Sequence, residues 1–193
     1  MQARTSEDSP IRVDFVPEDT LGLPEGSDTL AMTFAPGMTD IGWEREIATD
    51  LTALRDEYGT DVLVSLMEDF EYDMYHMNDS RSFFESVSAA GMEVVRFPIV
   101  DVDVPREEQM EEFANLVGGI IGSLRDGKNV VAYCRGGIGR TGVVVSSVLV
   151  GLGHDADEAI EIARRARSPR MVETRPQEDY VREFAGRCRG RWG

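Results

Sequence analysis

The feature that most constrains the fold is an apolar run, a glycine-rich loop and a second apolar run, centred on residues 129–142. The Val-Val-Ala-Tyr stretch at 130–133 predicts a short buried strand, and 143–150 predicts a helix that opens near Arg140. Three glycines in the loop allow successive backbone amides to face one centre, and a helix N-terminus there favours an anion. The pattern therefore predicts a phosphate-binding loop. Its phosphate-binding residues are Arg135, Gly136, Gly137, Ile138, Gly139 and Arg140.

The loop also carries a nucleophile and a cation. Cys134 lies at the end of the predicted strand, where the field of the following helix stabilises a thiolate. Arg140 has a planar fork that binds two phosphoryl oxygens, which a lysine lacks. A thiolate, an amide cradle and an arginine suit attack on a phosphate ester through a phosphocysteine intermediate. The alternative interpretation is a glycine-rich turn around a buried cysteine without chemistry.

The leaving oxygen needs a proton donor on a neighbouring loop. Asp101 and Asp103 lie between Pro98 and Pro105, after a predicted strand whose C-terminal end should share a sheet edge with Cys134. Ligands of open α/β sheets bind at that edge, so either aspartate suits the general acid. The chemistry requires no metal or cofactor. His76 and His154 are isolated in the sequence, and we interpret them as surface residues.

Strands and helices alternate along the chain, which predicts an α/β sandwich with a mostly parallel sheet. The predicted strands are 11–16, 29–34, 61–66, 93–97 and 130–133, the first two pairing as an antiparallel edge. The predicted helices are 40–58 capped by Asp40, 79–90, a long helix opened by Pro105, 140–150, 155–167 and a last helix from Thr174. Residues 68–76 and 98–105 are predicted loops, and turn residues Pro17, Gly22, Pro24 and Gly26 separate the first two strands.

Length and composition favour one domain. The 193 residues predict a flexible N-terminus at 1–10, a single domain at 11–186 that begins with the strand pair at 11–34, and a basic tail at 187–193. The net charge of −16 disfavours nucleic acid and anionic membranes as partners. The absence of an apolar leader at the N-terminus and the presence of only two cysteines predict a cytoplasmic protein.

The segment Cys134–Gly142 resembles the signature loop of the cysteine-dependent protein tyrosine phosphatases, including the dual-specificity branch. Together with Pro98-Ile-Val-Asp101, it is most similar to the kinase-associated phosphatase (cyclin-dependent kinase inhibitor 3-like) group and its bacterial relatives. Related segments extend over roughly residues 30–186. The resemblance implies a three-layer α/β sandwich and a phosphoprotein phosphatase that binds phosphate, vanadate or sulfate oxyanions at the loop.

Roles carried over by position make Cys134 the nucleophile, Arg140 the phosphate clamp and Asp101, rather than Asp103, the acid and then the base. Thr141 would hydrogen-bond the cysteine sulfur. Gln177 would position the hydrolytic water, or else it is only a surface residue at a helix start. Tyr133 departs from the family, which usually has histidine before the nucleophile.

The substrate stays open at this stage. Phosphotyrosine is the first expectation, with phosphoserine and phosphothreonine as further protein substrates. One alternative is a small-molecule phosphate such as a phosphoinositide or nucleotide, although the loop lacks the lysines typical of lipid phosphatases. Another is a non-catalytic phosphate-binding module. Cys188 is interpreted as a helix-face residue, with a protective disulfide to Cys134 as the alternative.

Overall fold

A five-stranded sheet runs through the centre of the protein, here a computed structural model that describes residues 3–23, 29–188 and 191–192. The strands in chain order are β1 (Arg4–Thr5), β2 (Asp14–Phe15), β3 (Leu30–Phe34), β4 (Thr39–Asp40), β5 (Trp43–Glu44), β6 (Val62–Ser65), β7 (Glu93–Arg96) and β8 (Val130–Cys134). The central sheet has the order β2-β3-β8-β6-β7, in which β2 alone is antiparallel to its neighbour. The strand that ends in Cys134 therefore lies in the middle of the sheet.

Helices cover both faces of this sheet. They are α1 (Glu18–Leu21), α2 (Ile47–Asp56), α3 (Asp69–Met74), α4 (Ser80–Ala89), α5 (Met110–Arg125), α6 (Gly139–Gly151), α7 (Ala156–Ala166) and α8 (Arg175–Cys188), with a 3-10 turn at Glu107–Gln109 before α5. One apolar core lies between the sheet and α5–α8, and a second lies between the sheet and α2–α4. Alternate residues of a strand point to opposite faces, so Cys134 faces the first core and Tyr133 the second. The predicted three-layer α/β sandwich is confirmed.

The N-terminal residues form part of this structure. Strand β1 pairs in parallel with β5, and β5 pairs with β4 across the turn Ile41–Gly42. The guanidinium of Arg45 donates to the carbonyl of Ser9 at 2.7 Å. Although we predicted a flexible segment at 1–10, residues 4–9 are thus bonded to the body of the domain. The predicted division of the chain into domains stays a prediction.

Two element predictions were wrong. Asp40 does not cap a helix, because residues 39–44 form the β4–β5 hairpin and α2 begins only at Ile47. Residues 69–74 form α3 rather than a loop, with reciprocal bonds between Glu68 and Glu71 at its start. The apolar pattern did not predict α3, because one of its buried residues is the acidic Glu71. The partner of Glu71 is Arg140, which is 69 residues away in sequence.

Several boundaries also differ. The predicted strand at 11–16 is reduced to Asp14–Phe15, and Pro105 precedes a 3-10 turn instead of opening the long helix. The antiparallel pairing of β2 with β3 is confirmed, but of these two strands β2 lies at an edge of the sheet and β3 does not. Pro24, Gly26 and part of the basic tail lie outside the described residues. No helix of residues 3–23, 29–188 or 191–192 has the length and apolar character needed to cross a membrane.

Candidate active site

The loop between β8 and α6, with the first turn of α6, is shaped by contacts from two other parts of the chain, namely β3 and residues 172–173. Gly137 has a φ of 65°, and a Cβ there would overlap the carbonyl oxygen of Thr33 in β3. A Cβ on Gly139 would overlap the Glu173 carboxylate, and one on Gly142 would overlap the backbone of Val172. Three of the glycines are therefore required by close approach, which explains why the segment is so rich in this residue.

The backbone amides of the loop remain available for a ligand. Residues 135–138 accept hydrogen bonds at their carbonyls, yet their amides donate none to the described part of the chain. Amides without partners at the start of a helix favour an anion. Beside them the Cys134 thiol is free and 4% exposed.

A cleft of about 730 Å³ opens over this loop. It is lined by the loop, the N-terminal segment, the β4–β5 hairpin, the Pro98–Pro105 loop and the segment after α7. The lining residues are Arg4, Ser9, Pro10, Arg12, Asp14, Phe34, Met38, Asp40, Ile41, Trp43, Asp101, Val102, Cys134, Arg135, Gly136, Ile138, Gly139, Arg140, Arg167, Ser168, Arg170 and Glu173. The cleft brings together the predicted nucleophile, arginine and acid.

Arg140 is held in place by a carboxylate that the sequence did not reveal. Its Nη1 and Nη2 atoms bond both oxygens of Glu71 at 2.7 and 2.9 Å, and Nη1 also donates to the carbonyl of Ile99 at 3.0 Å. Burial opposes the charged form, but Glu71 together with negative charge at Cys134 and Asp101 raises the pKa of Arg140 above its ordinary value. The Nε atom is buried and has no hydrogen-bond partner in the structure. The guanidinium of Arg140 is thus held in position with its positive charge, and its Nε–H group is available to a ligand.

The two aspartates of the Pro98–Pro105 loop have different surroundings. The Asp101 carboxylate lies 2.8 Å from Nη2 of Arg140, and its side chain is 47% exposed in the cleft. Asp103 is absent from the cleft lining, and its carboxylate accepts a hydrogen bond from the amide of Val104. The turn between the two aspartates places Val102 at a φ of 65°. Only Asp101 is within reach of a phosphate bound at the loop.

Two of the predicted site residues are placed differently from expectation. The Thr141 hydroxyl is buried without a hydrogen-bond partner, so the predicted bond to the Cys134 sulfur is not formed here. Gln177 is fully buried, which rules out the surface alternative. Its side chain donates to the carbonyl of Asp103 at 3.1 Å and accepts from the amide of Glu173 at 3.0 Å. Gln177 therefore connects the acid loop to α8 and does not line the cleft.

Arg167 is a further residue of the site that sequence reasoning missed. Its guanidinium donates to the carbonyls of Gly137 at 2.7 Å and Gly136 at 3.1 Å, and it pairs with Asp14 at 2.6 Å. Burial lowers the pKa of Arg167, and the negative charges of Asp14 and Cys134 offset this only in part. In sequence it is one of several arginines near the end of α7, with no signal that sets it apart.

Tyr133 does not take the place of a histidine at the loop. Its side chain is buried on the opposite face of the sheet, where its hydroxyl bonds that of Tyr72 at 2.8 Å. The Tyr72 hydroxyl bonds that of Ser65 in turn. Tyr72 is adjacent in α3 to Glu71, so this buried chain of hydroxyls fixes the helix that holds Arg140.

The structure brings a cysteine, an arginine and loop amides together at the C-terminal edge of a mostly parallel sheet, an arrangement that suits the binding of a phosphate. The family model described as "Polymorphic toxin system, DSP-PTPase phosphatase" matches residues 36–154, more than half of the chain. The chain belongs to this family of dual-specificity-type phosphatases. The predicted membership of the tyrosine and dual-specificity phosphatase superfamily is confirmed.

Two curated proteins share sequence with the chain. One is the Arabidopsis thaliana phosphatidylinositol 3,4,5-trisphosphate 3-phosphatase and protein-tyrosine-phosphatase PTEN1, 38% identical over 95 residues, which are 48% of this chain and 23% of that protein. The other is the uncharacterized protein MJECL20 of Methanocaldococcus jannaschii, 33% identical over 87 residues, which are 45% of this chain and 56% of that protein. The chain thus spans about a quarter and about half of the lengths of these relatives.

Solved phosphatase structures share the fold. Kinase-associated phosphatase, with its catalytic-site cysteine replaced by serine, has a TM-score of 0.83 at 19% identity and covers 93% of this chain and 96% of its own. Tk-PTP in its active form has a TM-score of 0.66 at 28% identity, covering 82% and 92%. PTPMT1 in complex with PI(5)P has a TM-score of 0.63 at 18% identity, covering 82% and 90%.

Proposed function

We propose that this phosphatase hydrolyses phosphoproteins, with phosphotyrosine as its first substrate and phosphoserine or phosphothreonine as further ones. The observation that carries the proposal is the meeting of Cys134, Arg140 and Asp101 around loop amides that donate to no group in the described part of the chain. A module that only bound phosphate would need the amides and the arginine, but neither a thiol nor a carboxylate beside them.

In the first step of the proposed reaction, the Cys134 thiolate attacks phosphorus and the bond from phosphorus to the leaving oxygen breaks. Asp101 gives its proton to that oxygen, so the product leaves as a neutral alcohol or phenol. The free amides of residues 135–138 and the Nε atom of Arg140 donate to the phosphoryl oxygens as charge builds on them.

In the second step, Asp101 takes a proton from water while the water oxygen attacks the phosphocysteine. The sulfur–phosphorus bond breaks, and phosphate and the thiolate are released. Thr141 is placed next to Arg140 at the start of α6, and rotation of its unpaired hydroxyl toward the sulfur would stabilise the departing thiolate. Gln177 acts by holding the acid loop against α8, since it does not reach the cleft.

The walls of the cleft favour an aromatic phosphate. Phe34 and Trp43, in contact at 5.0 Å between ring centroids, lie on one side with the apolar side chain of Met38. The acid loop adds Val102, which is 53% exposed. An aryl ring entering the cleft would bury apolar surface on these side chains, whereas a serine phosphate would leave them exposed to water.

A phosphoinositide is the second candidate substrate. The Arabidopsis relative is named for both a phosphoinositide and a protein activity, and the PTPMT1 structure holds PI(5)P. The loop of this chain has glycines or isoleucine at most variable positions and no lysine, which supports the protein substrate over the lipid.

The test is hydrolysis of an aryl phosphate by the wild type, Cys134→Ser and Asp101→Asn, with Asp103→Asn as the matched control on the same loop. We expect near-total loss for Cys134→Ser, a large loss in kcat for Asp101→Asn and near-normal rates for Asp103→Asn. Normal turnover in Cys134→Ser would refute the mechanism. A panel of phosphopeptides, phosphoinositides and nucleotides then identifies the substrate, and turnover of only the small molecules would overturn the phosphoprotein assignment.

A further inference from the structure

The N-terminal segment at residues 4–12 forms one wall of the cleft, although it precedes the region matched by the family model. Four of its residues line the cleft: Arg4, Ser9, Pro10 and Arg12. A wall in this position would touch whatever part of the substrate surrounds the phosphate ester.

Hydrogen bonds to buried groups fix the wall. Arg45 and Asp50 form a buried ion pair at 2.6 Å, and Arg45 holds the carbonyl of Ser9. The amide of Arg4 donates to Gly42 at 2.9 Å. Further along, the carbonyl of residue 11 accepts from the Tyr58 hydroxyl and that of residue 12 from the Thr33 hydroxyl. The segment is thus positioned before substrate arrives.

The residues of the wall that line the cleft include two arginines and no carboxylate, whereas Glu7 and Asp8 of the same segment are outside the lining; the net charge of the chain is −16. Arg4 is exposed, lies 5.3 Å from the centroid of the Trp43 ring and has no carboxylate partner among the residues the structure describes. Arg12 has a side chain that is 72% exposed, and it shares its partner Asp14 with Arg167. One carboxylate therefore neutralises two arginines, and together with Arg4 this side of the cleft keeps an excess of positive charge.

The same bonds connect the wall to the phosphate-binding loop. Asp14 contacts Arg12 on one side and Arg167 on the other, and Arg167 holds the carbonyls of Gly136 and Gly137. Asp14 and Arg167 therefore connect Arg12 to the phosphate-binding loop. An anion bound by Arg12 would lie at a fixed position relative to the phosphate.

We propose that Arg4 and Arg12 form a specificity subsite that binds a second anionic group of the substrate, namely an Asp, Glu or phosphorylated side chain next to the phosphotyrosine in a peptide. This inference rests on the proposed function and names the peptides that the cleft selects. Exposed charge pairs contribute little each, so two arginines should favour an acidic peptide over its neutral counterpart by about tenfold in kcat/KM.

The experiment compares two phosphotyrosine peptides that differ only in having Asp and Glu or Asn and Gln as flanking residues, together with a small aryl phosphate and a soluble phosphoinositide headgroup. The acidic-to-neutral ratio of kcat/KM should be about ten in the wild type, about three in Arg4→Gln and near one in the Arg4→Gln, Arg12→Gln double variant. Arg81→Gln, an exposed arginine outside the cleft, should keep the wild-type ratio. Raising the salt concentration should shrink the ratio of the wild type.

A wild-type ratio near one, or a ratio that both variants leave unchanged, would overturn the subsite while aryl phosphate turnover still supports the phosphatase. Faster turnover of the phosphoinositide than of either peptide would also overturn it. Failure of the wild type to hydrolyse any of the four substrates would refute the proposed function and the subsite together. The Arg4 side chain lies over the Trp43 ring and pairs with no carboxylate of residues 3–23, 29–188 or 191–192, so the single variant is informative even if Arg12→Gln lowers stability.

Discussion

The ion pair between Arg140 and Glu71 should make the stability of the free protein depend on a residue that never touches the substrate. Both side chains are nearly fully buried, at 1% and 3% exposure. Breaking a buried pair by removing one partner costs about 3–5 kcal/mol. Glu71→Gln keeps one acceptor, and Asp101 and the Ile99 carbonyl remain at the guanidinium, so we expect the lower end, about 3 kcal/mol. In a chain of this size that lowers Tm by about 6–12 °C.

The measurement is calorimetric unfolding with and without inorganic phosphate or tungstate. A bound oxyanion stabilises the native state in proportion to its affinity, and the site that has lost Glu71 holds Arg140 less rigidly and should bind the oxyanion more weakly. The oxyanion should therefore raise the Tm of Glu71→Gln by less than that of the wild type. Asp69→Asn is the matched control on the same helix, because the exposed Asp69 carboxylate contacts Arg96 and Ser80 rather than Arg140; exposed ion pairs are worth less than about 1 kcal/mol. If Glu71→Gln melts within 2 °C of Asp69→Asn, the remaining contacts with Asp101 and the Ile99 carbonyl are enough to hold Arg140, and our reasoning fails.

Three further variants probe the loop and its support. Gly137→Ala should abolish oxyanion binding and lower Tm, because its φ is positive and its Cβ would overlap a carbonyl oxygen. A Cβ on Gly136 would come no closer than 3.9 Å to its neighbour Ile138, so Gly136→Ala should bind nearly normally; equal binding in calorimetric titrations would contradict this. Arg167→Lys loses the fork that holds two loop carbonyls and should weaken tungstate binding about tenfold, while Arg164→Lys, which lies off the cleft, should not; similar inhibition constants would refute the positioning role. Burial, followed by the charge of its neighbour Tyr72, raises the pKa of Tyr133, so the unfolded chain loses that proton first. The contribution of Tyr133 to stability should be constant below about pH 10 and fall above it, so stability above pH 10 should fall less steeply in Tyr133→Phe, as urea unfolding at several pH values would reveal.

The parts of the fold that were predictable have signals local in sequence. The central strand, the loop and α6 follow from an apolar run, a glycine cluster and a second apolar run, and the long helix α5 follows from its apolar spacing. The hairpin at 39–44 was missed because Trp43 and Ile47 are spaced as in a helix. Gly42 was the sequence signal for a hairpin, because a two-residue turn favours glycine at a positive φ, and Gly42 has a φ of 80° in the turn Ile41–Gly42.

The residues that support the site could not be found this way. Cys134, Arg140 and Asp101 were nominated by chemistry and spacing, and they do lie in one cleft. Glu71 and Arg167 act on the loop from positions 69 and 30 residues away. Each of these two side chains is buried beside a partner that only the fold brings near. From the sequence alone, a charged residue is predicted to lie on the surface.

The backbone of Gly137 lies so close to Thr33 that a Cβ at residue 137 would overlap the Thr33 carbonyl, so the loop depends on more of the chain than its reactive residues. The region matched by the family model begins at residue 36 and ends at 154, so it contains the thiol, the arginine and the acid but neither Thr33 nor Arg167. The curvature of the loop is therefore imposed by residues on both sides of the matched region, whereas the reactive groups lie within it. A fragment of residues 36–154 would keep Cys134, Arg140 and Asp101. It would lose the contacts of Thr33 and Arg167 that set the conformation of the loop.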